Sequence, residues 1–311
     1  DKLVDEANLL VAALRAKGNE YIDILKMGRT EMQDAVPMTL GQEFHAFAAA
    51  LETEIAFLRM AEQPLFNINM GATAIGSGLN APEGYAKKTA EHLARLTGKP
   101  ISVADDMFAA TWDQHAFVVE SGALRSMAIK LSKIASDLIL LSSGPRAGLG
   151  EINLPAMQPG SSIMPGKVNP VIAELVNLVS FRVIGNDLSV SLAGRNGQLQ
   201  LNAYEPLEAI AILDSQRLLT NAMRTLRVKC VDGITVNEDT LEQYIQRTVG
   251  IVTALNPVIG YDRATELAAE AYLTDKGILE IIREKQILSE EQISEILNPE
   301  ALTGLDKTQY E

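Results

Sequence analysis

One cysteine, Cys230, is all the thiol chemistry this chain of 311 residues contains. An intrachain disulfide is therefore excluded. The pattern fits a reducing compartment and a cytoplasmic protein, with Cys230 an inert thiol. Positive charge is short as well: 27 Lys and Arg against 40 Asp and Glu give a formal charge of −13. No segment gathers the basic residues into a stripe, which makes nucleic acid a poor partner. An anionic small molecule is still compatible, because a local cluster of donors outweighs the global sum. No apolar run approaches the roughly 18–20 residues that span a bilayer, and no secretory leader is visible, so no membrane partner is expected. Histidine is scarce. His45, His92 and His115 fall in helical stretches without ligand spacing, and neither HExxH nor CxxC occurs. No metal site and no cofactor are expected, while activation by Mg2+ is left open by the residues.

What is present suffices for a large core. At this length about three quarters of the unfolded surface is buried on folding, so no staple is needed. Apolar residues at 47% and charged residues at 22% are ordinary for a globular chain. The chain opens "DKLVDEANLL", without methionine and already in helical pattern, and reads as a piece that starts part-way into a larger protein.

Helical periodicity dominates. Leu3 to Leu25 and Gly41 to Ala61 carry apolar residues at helical spacing. The longest candidate runs from about Asp105 to Ser143 and stops at Gly144-Pro145. Within it Leu124, Met127, Leu131, Ile134, Leu138 and Leu141 alternate steps of three and four, a seam suited to long helices packed side by side. A fourth helix is expected from Asn169-Pro170, asparagine as N-cap and proline at the first position, to about Leu192. A fifth runs from about Glu205-Pro206 to Arg227. Shorter helices follow over Glu238 to Ala254, Asp262 to Thr274 and Gly277 to Lys285. A last one begins at "SEEQ", where Ser289 and Gln292 form a capping box. The fold class read from this is all-α: a long antiparallel helix bundle over residues 1–237 and a small helical C-terminal domain over 238–311. Two loops, "MGATAIGSGLNAP" and "PAMQPGSSIMPGKVNP", are long for bundle connections and become functional candidates.

The stretch Gly160 to Pro170, "GSSIMPGKVNP", concentrates donors. It is not a phosphate loop: five residues separate Gly160 from Gly166, Val168 follows Lys167 where a hydroxyl is needed, and no strand precedes it. Two readings stay open on composition. One is an exposed connection that caps a helix. The other is a carboxylate site, with the cation of Lys167, the hydroxyls of Ser161 and Ser162, permissive backbone at Gly160 and Gly166, and a helix N-terminus at Asn169-Pro170.

"GSSIMPGKVNP" resembles the signature loop of the fumarase/aspartase superfamily, and the resemblance extends over nearly the whole chain. "MGRTEMQDAVPMTLGQEF" (Met27 to Phe44) is similar to a second shared segment, and "GQLQLNAYEP" and "IVTALNPVIGYD" to two more. The resemblance implies a long-helix bundle assembling as a homotetramer whose active sites gather residues from three subunits, with a further N-terminal domain ahead of this segment. "AVPMTLGQEF" and "GQLQLN" look like the aspartate ammonia-lyases of the superfamily. Its class II fumarate hydratases read Thr-His-Thr-Gln where this chain has "TEMQ". The implied reaction is elimination of ammonia from L-aspartate to give fumarate. Hydration of fumarate is the alternative, as is a catalytically incomplete helical core.

By this resemblance Ser161 is the general base and Ser162 helps to hold the oxyanion. Lys167 and Asn169 grip the substrate α-carboxylate with Thr30 nearby. Glu31 stands where hydratases carry histidine and some ammonia-lyases glutamine; either that change is harmless in an ammonia-lyase, or Glu31 helps to hold the substrate ammonium. The superfamily's histidine–glutamate pair, whose second member corresponds to Glu174, is then not formed. Gly160 and Gly166 give the loop its freedom to close, and Met164 and Pro165 pack it. Arg29 and Asp34 flank Thr30 and are expected to fix its turn.

Overall fold

The seam read from Leu124 to Leu141 sets the architecture. All six residues lie on α5 (His115–Leu141), and each is at most 5% exposed. Two more rods share its length, α6 (Val171–Asn196) and α7 (Glu205–Lys229). Polar pairs fix their register. Ser121 donates to Asp187 Oδ1 and Arg125 to Asp187 Oδ2, each at 2.8 Å. Further along, Ser132 donates to Asn177 Oδ1 at 2.8 Å. Numbers rise on α5 as they fall on α6, so the two helices are antiparallel. Asn186 donates to Ser215 Oγ at 3.0 Å, tying α6 to α7, and Gln216 donates to Glu120 Oε1 at 2.9 Å, tying α7 to α5. The helix bundle expected from periodicity is the fold.

The computed structural model describes the whole chain apart from residues 161, 162, 165, 310 and 311. Before α5 come α1 (Lys2–Glu20), β1 (Leu25–Thr30), β2 (Gln33–Thr39) and α2 (Leu40–Ala61). β3 (Asn67–Ile68), α3 (Tyr85–Thr97), β4 (Ser102–Val103) and α4 (Ala109–Trp112) follow. β5 (Ile152–Asn153) precedes α6, and β6 (Thr235–Val236) follows α7. The remainder is α8 (Glu238–Arg247), α9 (Val252–Ile259), α10 (Tyr261–Thr274), α11 (Ile278–Glu284), α12 (Glu290–Ile296) and α13 (Pro299–Thr303).

Contacts divide the chain into two compact units. The first, Asp1–Leu10, Ala50–Asp137 and Val171–Arg227, contains the polar pairs above, α3, α4 and a two-residue parallel pairing of β3 with β4. The second, Val11–Ala49, Leu138–Pro170 and Val228–Glu311, contains the antiparallel hairpin of β1 and β2, the short pair β5–β6 and helices α8 to α13. Met27, Ile245, Ile251, Leu255, Ile278 and Ile282 are among the residues that make its core. The Ser289–Gln292 capping box is formed, Ser289 N–H donating to Gln292 Oε1 at 2.9 Å and Gln292 N–H to Ser289 Oγ at 3.2 Å.

Three expected helices are shorter than their periodicity suggested. α1 stops at Glu20, and the apolar residues up to Leu25 lead instead into β1. The run from Asp105 is broken at Asp113, which is extended and whose Oδ1 accepts from His115 N–H at 3.1 Å, so that it caps the start of α5. α8 ends at Arg247 before an extended Thr248, and α9 resumes at Val252. A turn at residues 21–23, the side-chain acceptor of Asp113 and the extended Thr248 interrupt patterns whose apolar positions continue.

Glu208, on α7, is fully buried, and neither carboxylate oxygen has a hydrogen-bond partner among the described residues. Burial, reinforced by the charge of Glu205, pushes it up to about 7 from its ordinary 4.5. Between those two values the folded state holds a proton that the unfolded chain has lost, so stability falls as pH rises through that window. Glu208→Gln should therefore raise the melting temperature at pH 8 and change it little at pH 4. The gain at pH 8 should be about 1–3 kcal/mol, the usual penalty of an unpaired buried group. Thermal melts followed by circular dichroism at the two pH values check this.

Candidate active site

Thr30 ends β1, and Glu31 with Met32 forms the two-residue turn into β2, where Thr30 pairs with Gln33 and Arg29 with Asp34. Both turn residues have positive φ, 51° and 66°. That is the mirror-image turn whose twist suits a hairpin, but it is normally made by Asn-Gly. With a β-carbon at each position the turn costs about 1–2 kcal/mol per residue. Thr30, Glu31 and Met32 are exposed at this tip. Lower down, the register shifts between Met27 and Arg29. Gly28 lies in that shift, where a β-carbon would come 2.7 Å from the Val36 carbonyl oxygen.

The base of the hairpin holds four charges. Lys26, almost fully buried, donates to Glu43 Oε2 at 2.6 Å, and its ammonium lies 2.9 Å from Glu151 Oε2 without hydrogen-bond alignment. Arg29 is paired with Glu151 Oε1. Glu151 itself has no solvent exposure. The Arg29 guanidinium also sits 5.3 Å from the centre of the Tyr244 ring, and the Tyr244 hydroxyl donates to the Leu149 carbonyl at 2.7 Å. Asp34, opposite Arg29, accepts from Thr248 Oγ1 at 2.9 Å. Burying such ions costs several kcal/mol each before pairing repays it. None of Lys26, Glu43 and Glu151 is marked by local sequence, since a buried lysine reads like a surface one until its partners are known.

The loop from Gly160 has a closed neck. Asn169 Nδ2 donates to the Gly160 carbonyl at 2.9 Å. A β-carbon at Gly160 would fall in the space of the Lys167 carbonyl oxygen, so only glycine fits there. Gly166 has φ 80°, and Lys167 N–H closes a turn on the Met164 carbonyl at 3.3 Å. Asn169 was expected as the N-cap of the next helix. α6 instead begins at Val171, and the Asn169 amide is turned back onto the neck. Ser161, Ser162 and Pro165 lie outside the described residues. Met164, Gly166 and Lys167 are exposed, and the Lys167 ammonium has no ion-pair partner among the described residues. Glu174 is exposed in the first turn of α6. Among the described residues no hydrogen bond or ion pair joins Thr30 or Glu31 to Lys167 or Asn169.

The second long loop, Met70 to Pro82, is also unusual. Gly71, Thr73, Ile75, Gly76, Gly78 and Asn80 all have positive φ. A β-branched residue such as Ile75 in that region is rare.

Comparison with known proteins places this geometry. The model of a lyase family matches residues 1–185, and that of the fumarase C C-terminus matches residues 251–304. The aspartate ammonia-lyase of Pseudomonas aeruginosa is 54% identical over 96% of this chain and 64% of its own length. That of Escherichia coli is 48% identical over 97% of this chain and 63% of its own. The chain thus spans a little under two thirds of the curated relatives it matches. Among solved structures, fumarate lyase:delta crystallin from Brucella melitensis bound to cobalt superposes with TM-score 0.92 at 48% identity, over 96% of this chain and 65% of that one. Class II fumarase from Schistosoma mansoni superposes with TM-score 0.88 at 35% identity, over the same shares. With a signature loop on a glycine-closed neck, a second shared segment folded as a hairpin, and family models matching residues 1–185 and 251–304, the chain belongs to the lyase family of the fumarase/aspartase superfamily.

Proposed function

We propose that the protein of which this chain is part eliminates ammonia from L-aspartate to give fumarate. The observation that carries the reading is that relatives 48–54% identical over nearly the whole chain are aspartate ammonia-lyases. Glu31 adds to it: a carboxylate on the hairpin tip suits a substrate ammonium better than a substrate hydroxyl.

The chemistry begins with a proton on the carbon bonded to the β-carboxylate, a very weak acid because the neighbouring group is already an anion. Removing it gives a dianionic aci-carboxylate, whose electrons then form the carbon–carbon double bond as ammonia leaves the adjacent carbon. The main task is to stabilise charge developing on carboxylate oxygens, where each well-placed donor contributes roughly 3–4 kcal/mol. In this reading Ser161, as an alkoxide, takes the proton, and Ser162 donates to the oxyanion. Lys167 and Asn169 hold the α-carboxylate with Thr30. A serine base functions only in a dry site with positive charge nearby, and Lys167 is the cation this loop offers. Gly160 and Gly166 let the loop close, with Met164 and Pro165 covering it. No cofactor enters this scheme.

Completion of the site by further copies, in a homotetramer, is part of the same proposal. Within the first unit α6 exposes Leu178, Phe181, Leu188 and Leu192 along one face, and α7 exposes Leu207, Ile210 and Leu213. Contiguous apolar surface of that kind marks an interaction face. We place the protein in the cytoplasm; among the described residues no helix is long and apolar enough to cross a membrane.

Incubation with aspartate, following fumarate by ultraviolet absorbance, should show turnover; malate turnover in its place would make the protein a hydratase, and neither would leave a helical core alone. Ser161→Ala should lower kcat for aspartate at least about a hundredfold while far-ultraviolet circular dichroism is unchanged. Glu31→Gln should raise KM for aspartate about tenfold, the equivalent of 1.4 kcal/mol. An unchanged KM would remove Glu31 from the ammonium site.

A further inference from the structure

Glu151 is not among the residues assigned to substrate, yet three segments converge on it. Its carboxylate is shared by Lys26 and Arg29, both on β1. Its main-chain N–H donates to the Leu141 carbonyl at 2.8 Å, and its own carbonyl accepts from Asn237 N–H at 2.9 Å. Residues three apart on a regular strand point to opposite faces. Lys26 and Arg29 nevertheless reach the two oxygens of one carboxylate, across the register shift between Met27 and Arg29. Such irregularities re-aim side chains.

Stability does not account for the cluster, because well-packed apolar residues in place of buried ion pairs are often as stable or more so. A rigid geometric requirement does. One residue beyond Arg29 is Thr30, and then comes the turn of Glu31 and Met32, both held at positive φ. Strained turns of this kind persist only where their surroundings over-determine them. The pairing of Arg29 with Glu151 supplies that determination from the base of the hairpin, and the Tyr244 ring against the Arg29 guanidinium adds to it.

We propose that Glu151 is a positioning residue: its buried carboxylate, gripping Lys26 and Arg29, sets where the hairpin tip presents Thr30 and Glu31, without touching substrate itself. The catalytic part of this rests on the aspartate reading above; the structural part does not.

Glu151→Gln keeps the shape and removes the charge that pairs with Arg29 and that Lys26 shares with Glu43. Amide hydrogen exchange should then accelerate at least about tenfold in Leu25 to Thr39 and remain unchanged in α5, α6 and α7. kcat/KM for aspartate should fall about a hundredfold, the usual cost of a misplacement near 1 Å, with most of the loss in KM. Glu151→Asp should recover part of it. Arg29→Lys keeps the charge but loses the planar fork, and serves as the second variant if Glu151→Gln does not fold. It should give the same exchange pattern in weaker form. A lowered melting temperature with hairpin exchange and kcat/KM both at the wild-type level would mean a merely structural cluster, and the proposal would be wrong. If the unmodified protein does not turn over aspartate, the proposed reaction falls and the exchange data alone decide. Unaltered exchange in the hairpin then overturns the role of Glu151, and faster exchange confined to the hairpin sustains it.

Discussion

Two cations, Lys26 and Arg29, meet at the carboxylate of Glu151 where no solvent reaches it. In such a medium each Coulomb attraction is strong, and the loss of hydration is almost as large, so the net gain in stability is small. Geometry is what remains. An ion pair that has given up its water tolerates little displacement, because any gap leaves a bare charge behind. The segments attached to these three side chains, and to Glu43 paired with Lys26, inherit that intolerance. They are the strand leading to Thr30, the start of α2 at Glu43, and the residues just before β5.

The second unit thus presents two elements built on different principles. The hairpin is stiffened from its base by charge, and its tip is held in a conformation that its own residues disfavour. The loop from Gly160 is cinched at a neck by one amide hydrogen bond and by a backbone approach that admits no β-carbon. Beyond the neck, Gly166 has a positive φ and Lys167 is exposed. The first unit contributes rods whose buried faces are knit by Asp187, Asn186 and Ser215 and whose opposite faces carry Leu178, Phe181 and Leu188 to the surface.

How much of this was legible depended on the range of the interaction. The α5 seam and the Ser289–Gln292 capping box are set by residues three or four apart, and both were read correctly. The loop stood out because its residue types are rare together, although the sequence assigned Asn169 to a helix cap and the structure uses its amide at the neck. The hairpin was missed. Its turn is Glu-Met, not Asn-Gly, and its strands lack an alternating run of β-branched residues, so local preference gave no signal. Lys26 and Glu151 were invisible for a different reason. Their meaning depends on a partner more than a hundred positions away, and no short window contains both.

Cys230 closes α7 with almost no exposure, and burial pushes its thiol up to about 12. At neutral pH the reactive thiolate is then essentially unpopulated, and a reagent would have to open the helix end to reach the sulfur. Slow reaction with alkylating agents and mild oxidants is the expected consequence. A cysteine introduced at any exposed position, the hairpin tip included, would be the one site to take a dye or a spin probe, with no need to remove the native thiol first.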